Sequence, residues 1–122
     1  MRAFLSAFLL ALPAAAAAQP PARTVEVRLS NFDFTPTAIR LRAGEPIVLR
    51  LVNSAGGGHN FAAPQFFAAA SAVRGPVRDG KVELAGHQSA EVRLTPARGH
   101  YRLRCTHTLH ATFGMTGEIV VE

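Results

Sequence analysis

The chain has 122 residues with 13 basic and 8 acidic side chains, a formal net charge of +5, and one cysteine. This length fits a single domain with a modest core, and a lone cysteine excludes an internal disulfide. The positive charge suits an acidic protein partner or a solvated surface. Nucleic-acid binding is disfavoured because the phenylalanines cluster with alanine and proline rather than with basic residues.

The N-terminal segment, residues 1–18, has the pattern of a cleaved signal peptide. Arg2 supplies a positive start, residues 3–18 are almost wholly apolar, and three alanines at 16–18 form a small-residue cleavage site. The alternative is a membrane anchor. The apolar stretch is short for that role, Pro13 interrupts it, and no charged stop-transfer cluster follows.

Cleavage of this segment predicts an exported protein of the periplasm or extracellular space. About 100 residues remain, which is one domain's worth of chain. We assign 19–23 to a linker and 24–122 to the domain, and we expect no transmembrane segment after cleavage.

The domain has the pattern of short β-strands separated by turns. Apolar residues alternate with polar ones at 25–29, 39–41, 81–84, 91–94 and 101–105, a more continuous apolar run covers 47–52, and 118–122 is typical of a last strand. About seven strands spaced in this way predict an all-β fold, an antiparallel Greek-key β-sandwich. The Ala-rich segment around 64–73 lacks the alternation and predicts a short helix or a loop.

One stretch near the C-terminus collects the metal-binding side chains. Cys105, His110 and Met115 are spaced five apart. On a helix each step of five turns by about 140°, so the three side chains can converge only from a loop. A thiolate, an imidazole and a thioether together favour copper over harder ions. His59, which follows three glycines and the 47–52 strand, is the best candidate for a fourth ligand.

Each of these residues also has a structural interpretation. Cys105 could be an inert core thiol, Met115 a core-filling side chain, and His59 an exposed loop residue. Zinc would accept the cysteine and the histidines but has little use for Met115. His107 is a possible alternative ligand, yet His110 lies midway between Cys105 and Met115 and is the preferred one.

The pattern Cys-x4-His-x4-Met before a last strand, with an upstream His59-Asn60 pair, resembles the cupredoxins, the small blue-copper proteins of the plastocyanin and azurin kind. The run from Asn31 to Pro36, with Ile39 and Gly44, is similar to the opening strands of that family.

The resemblance implies a cupredoxin-like sandwich with one copper ion per chain that cycles between Cu(I) and Cu(II). It also implies that the Asn60 side chain bonds to Thr106 and ties the two ligand-bearing segments together. His107 has no place in the family pattern, so we expect it beside the site or at the surface.

The resemblance therefore implies an electron carrier without catalytic activity. We expect a monomer that passes electrons through the edge of His110, within a flat patch of Leu109, Ala111, Phe113 and Gly114. The partner would be an acidic redox protein, such as a cytochrome, an oxidase or a reductase.

Arginines near the last strands, Arg98, Arg102 and Arg104, would steer such a partner.

Three alternative functions remain: a copper-delivery protein, an open-site copper enzyme with Met115 off the metal, and an interaction domain without metal.

Overall fold

The computed structural model describes residues 3–4, 6–13, 21–110 and 112–122. The predicted cleavage motif at 16–18 and the start of the linker at 19–20 lie outside the described residues, so both stay predictions. Residues 6–13 form neither helix nor strand, and their apolar side chains are exposed. Within the described part of the chain, no helix is both long and apolar enough to cross a membrane.

The described residues contain ten strands and one short helix. In chain order these are β1 (Arg23–Ser30), β2 (Asp33–Thr35), β3 (Ala38–Leu41), β4 (Ile47–Asn53), β5 (His59–Ala62), α1 (Pro64–Ala69), β6 (Ser71–Arg74), β7 (Lys81–Leu84), β8 (Ser89–Thr95), β9 (Gly99–Arg104) and β10 (Thr116–Val121). The 64–73 segment thus begins as a helix and ends as a strand.

The strands form two five-stranded sheets, in the orders β2-β1-β4-β8-β6 and β3-β10-β9-β5-β7. The predicted β-sandwich is confirmed. It is not wholly antiparallel, because β1 pairs in parallel with β4 and β3 pairs in parallel with β10. The chain crosses to the second sheet at β3 before it returns as β4, so β1 and β4 lie side by side and run in the same direction.

The strand count exceeds the predicted seven because three strands lack a clear alternating pattern. All four residues of β5 are buried, including His59 and Asn60, so its polar and apolar residues do not alternate. β6 lies at a sheet edge and is mostly exposed, and β2 has only three residues. Periodicity detects strands that are long enough to show a repeat and that have one buried and one solvated face; β2 is too short, and β5 and β6 lack the two different faces.

The core lies between the two sheets and extends to the end of the sandwich where β9 stops. Inward-facing residues of most strands contribute, and α1 adds Phe66 and Phe67. Pro64 stands in the first turn of α1, where its missing N–H leaves no bond unmade. Cys105 and Met115 are both fully buried members of this core, so the loop between them is anchored at its two ends.

A buried asparagine holds the loop that leads into β5. Asn53 is 1% exposed, and its Nδ2 donates to the carbonyls of Gly57 at 2.9 Å and Ala85 at 3.0 Å. Its Oδ1 accepts the N–H of Ala55 at 3.1 Å. One side chain therefore joins the glycine turn before His59 to the turn after β7.

We predict that Asn53→Leu destabilises the domain by about 2 kcal/mol, because it removes a buried carboxamide that bonds to the buried N–H of Ala55 and the buried carbonyl of Leu84. The measurement is the free energy of unfolding in urea. Ser54→Ala is the matched control, since the Ser54 hydroxyl makes one bond, to the Leu29 carbonyl at 3.2 Å, and should cost about 1 kcal/mol or less. Equal losses in the two variants would contradict this role.

Candidate metal centre

Three of the four predicted ligands come together at one end of the sandwich. The ligand atoms of His59, Cys105 and His110 all lie within 4.8 Å of one another. His59 is the first residue of β5, Cys105 directly follows β9, and His110 lies in the loop between β9 and β10. His59 lies 46 positions before Cys105 and 51 positions before His110. The three residues meet because β5 and β9 are neighbours in one sheet.

Backbone hydrogen bonds close the loop from Cys105 to Met115. The N–H of Cys105 donates to the carbonyl of Met115 at 3.1 Å, and the N–H of Met115 donates to the carbonyl of His110 at 3.0 Å. A further bond runs from the N–H of His110 to the carbonyl of His107 at 3.1 Å. The loop therefore places Met115 next to Cys105, and its role as the fourth ligand stays a prediction.

The Cys105 thiol is surrounded by nitrogen atoms. Its Sγ lies 3.3 Å from Nδ1 of His110 and 3.9 Å from Nδ1 of His59, and it accepts the backbone N–H of Asn60 at 3.4 Å. The thiol is fully buried. A buried sulfur that faces two imidazoles and one N–H donor suits a thiolate bound to a metal ion.

A residue that the sequence analysis left without a role, Asn31, orients His59. Its Oδ1 lies 3.2 Å from Nε2 of His59. Because a carboxamide oxygen only accepts, this contact places the imidazole proton on Nε2 and leaves the Nδ1 lone pair facing Cys105 and His110. The sequence signal was the position of Asn31 in a two-residue turn between β1 and β2.

The surroundings of His59 favour its neutral form. Burial lowers the pKa of His59 below its ordinary value of 6.5, and the nearby imidazoles of His110 and His107 lower it further. The Nδ1 atoms of His59 and His110 are 3.1 Å apart. Two imidazoles this close disfavour two protons and favour a shared cation between them, which agrees with a metal-binding role for the pair.

Asn60 makes the contact with Thr106 that the resemblance implies. Its Nδ2 donates to Oγ1 of Thr106 at 2.7 Å, and its Oδ1 accepts the N–H of Thr106 at 2.8 Å. The second Nδ2 proton goes to Oε1 of Glu83, also at 2.7 Å. Asn60 is fully buried, so this carboxamide fixes β5 to the segment that follows Cys105.

His107 lies beside the three donors rather than among them. Its Nε2 is 2.8 Å from Oε2 of Glu83, and its ring centroid is 5.4 Å from that of His110. Burial raises the pKa of Glu83, but the hydrogen bonds from Asn60 and His107, with the charges of His107 and Lys81, outweigh it and lower the pKa. His107 thus has a partner in Glu83, which the sequence analysis did not identify.

Exposed apolar side chains surround the half-buried His110. Leu109 is 59% exposed and Phe113 is 61% exposed, as the predicted patch requires, whereas Ala111 lies outside the described residues. The partly buried Phe32 packs beside them, with its ring centroid 5.2 Å from those of both His110 and Phe113. The φ angle of Phe32 is +65°, a conformation that costs free energy for a bulky residue.

Comparison with known proteins agrees with this description. A family model described as a cupredoxin-like domain matches residues 2–121, and comparison with curated proteins gives no match. Auracyanin B is similar in structure, with 29% identity, a TM-score of 0.64, and coverage of 87% of this chain and 93% of that chain.

Two further solved structures share the fold. Auracyanin A of Chloroflexus aurantiacus, described as a "blue" copper protein, has 21% identity and a TM-score of 0.61, over 84% of this chain and 100% of that chain. A multicopper oxidase from Campylobacter jejuni has 12% identity and a TM-score of 0.63. The match covers 85% of this chain and 31% of the oxidase.

We predict that the metal-free protein loses stability as the pH falls below 6.5. The His59 pKa is lower in the folded chain than in the unfolded one, so below that pH the unfolded chain binds the extra proton and is favoured. Urea unfolding between about pH 8 and about pH 5 measures the slope. His59→Gln should reduce the dependence of stability on pH. His100→Gln, at an exposed site, is the control and should leave it unchanged. An unchanged pH dependence in His59→Gln would contradict the lowered pKa of His59.

Proposed function

The chain belongs to the cupredoxin-like family, and on that basis we propose that it is an exported blue-copper protein that carries single electrons between redox partners. The observation that supports this most is the meeting of two imidazole nitrogens and the buried Cys105 thiol within 4.8 Å. One nitrogen–sulfur cluster of this kind suits one copper ion per chain.

The proposed ligands are His59, Cys105, His110 and Met115. A bound copper ion supplies a one-electron couple between Cu(I) and Cu(II). The residues of the chain hold the donor atoms in place: Asn31 orients His59, and the closed loop fixes His110. Cys105 and His59 are buried, so water does not reach their donor atoms. These atoms therefore need little rearrangement when the charge of the site changes.

Export is proposed from the N-terminal segment. Residues 1–18 would be removed, and the domain over 24–122 would work in the periplasm or extracellular space. The single free cysteine is compatible with an oxidising compartment outside the cytoplasm, because a bound metal ion would protect Cys105 from forming an intermolecular disulfide.

The apolar patch around His110, formed by the exposed Leu109 and Phe113 with the partly buried Phe32, is the proposed route for electrons. An apolar surface beside a half-buried ligand lets a partner approach the site closely without displacing charged groups. We propose a monomer that docks here on an acidic redox protein, with no nucleic-acid partner. Arg104, at the end of β9 nearest Cys105, is better placed for steering than Arg98, which precedes the opposite end of that strand.

Copper delivery and open-site catalysis are the competing functions. A delivery protein would release copper readily to a chelator, and an enzyme would bind a substrate at an open position on the metal. A site of four donors with the buried Met115 as the fourth would leave no such position, so we propose electron transfer.

The direct test of function is voltammetry of the copper-loaded protein followed by electron self-exchange between its oxidised and reduced forms. We predict a reversible one-electron couple and self-exchange fast enough to broaden NMR lines. An irreversible couple, or rapid loss of copper to a mild chelator, would favour the competing functions.

The same measurement tests the patch. Phe113→Glu should slow self-exchange by about tenfold or more, because like charges brought together cost at least about 1.4 kcal/mol. Ala43→Glu, at an exposed turn between β3 and β4, is the matched control and should change the rate little. If both variants change the exchange rate equally, net charge rather than the patch controls the approach.

Met115→Leu tests the fourth ligand. A weak axial thioether tunes the potential more than it holds the metal, so the variant should keep its copper and show a higher reduction potential. Voltammetry and metal analysis measure the two properties. Loss of copper from the variant would mean that Met115 is needed for binding, and an unchanged potential would place it off the metal.

A further inference from the structure

Glu83 bridges two residues that flank the proposed ligands. Its Oε1 accepts from Asn60, which follows His59, and its Oε2 contacts His107, two residues after Cys105. The register of the sheet fixes this geometry, because Glu83 of β7 pairs directly with Asn60 of β5. A single carboxylate therefore reaches both ligand-bearing segments from the edge strand of the sheet.

His107 is an imidazole in a position to compete for the metal. Its ring centroid lies 5.4 Å from that of His110 and 6.5 Å from that of His59. Imidazole binds copper through either ring nitrogen. With three neighbouring imidazoles and one thiol, the contacts around the site must determine which two imidazoles bind the metal.

The contacts of His107 supply that choice. Nε2 is held by Glu83 at 2.8 Å, and on the other side Cε1 packs against Gly58, where an added Cβ would lie only 3.2 Å away. The carboxylate accepts from the charged imidazole and from the neutral tautomer that carries its proton on Nε2, so the restraint is present in both forms. The side chain of His107 is 33% exposed and would otherwise be free to turn.

We propose that Glu83 is a positioning residue that keeps His107 out of the donor set, and so determines that His59 and His110 are the two imidazole ligands. The proposal rests on the proposed copper site and gives His107, which stands two residues after Cys105, a defined place beside that site. Glu83 touches no ligand directly and acts through His107.

The test compares Glu83→Ala, His107→Ala and the double variant. In the Cu(II)-loaded proteins, visible and electron paramagnetic resonance spectra should show one species in wild type and in His107→Ala. Glu83→Ala should add a second species with different copper parameters. The double variant should lose that second species, because the competing imidazole is gone. Glu118→Ala, an exposed glutamate of β10 in the same sheet, is the matched control and should match wild type.

A second readout does not depend on copper. In the Zn(II)-loaded protein, nitrogen NMR of the histidine rings should report metal on His59 and His110 in wild type, and on His107 as well in Glu83→Ala. Glu83→Thr, which keeps strand preference but cannot reach His107, guards against a folding defect of the alanine variant.

Two outcomes would overturn the proposal. Glu83→Ala could give a single wild-type species by both readouts, in which case His107 needs no restraint. A second species could instead persist in the double variant, in which case Glu83 acts through Asn60. Failure of the proposed function is distinguishable, because wild type itself would then lack the blue Cu(II) species while the Zn(II) readout still reports on His107.

Discussion

The buried carboxamide of Asn60 is the interaction on which the site depends. It uses both amide protons and its oxygen, and it joins the strand that begins with His59 to the segment that follows Cys105. Without that link, the two ligand-bearing segments, which are far apart in sequence, would be joined by the short pairing between β5 and β9 at Ala62 and by the bond from the Asn60 backbone N–H to Cys105. A fully satisfied buried polar group is stiff, and stiffness is what a preformed cluster of donors requires.

The remainder of the sandwich supports this link from three directions. Asn53 fixes the glycine turn before His59, the turn at Asn31 and Phe32 covers the outer side of the imidazoles, and the backbone pairing of Cys105 with Met115 closes the loop below. Each contact comes from a different element, so the donors are positioned by the fold as a whole. Donors positioned in this way would need little rearrangement on binding a metal ion, which agrees with the proposed one-electron chemistry.

Much of this was predictable from sequence, for physical reasons. Strands with one buried face alternate visibly, and the crowding of Cys105, His110 and Met115 marks a metal-binding loop because soft donors seldom gather otherwise. Contacts between side chains distant in sequence leave no local pattern, so Asn31 and Glu83 were not assigned roles. The fully buried strand β5 and the parallel pairing of β1 with β4 were also not predicted, because both depend on the arrangement of two sheets rather than on one strand.

The most direct test of the central claim is the visible spectrum of the purified protein after addition of one equivalent of Cu(II). A Cys105 thiolate bound to Cu(II) beside His59 and His110 should give an intense blue charge-transfer band that disappears on reduction. Cys105→Ser should abolish the band while the sandwich remains folded. A protein that binds one equivalent of copper and stays colourless would contradict the account.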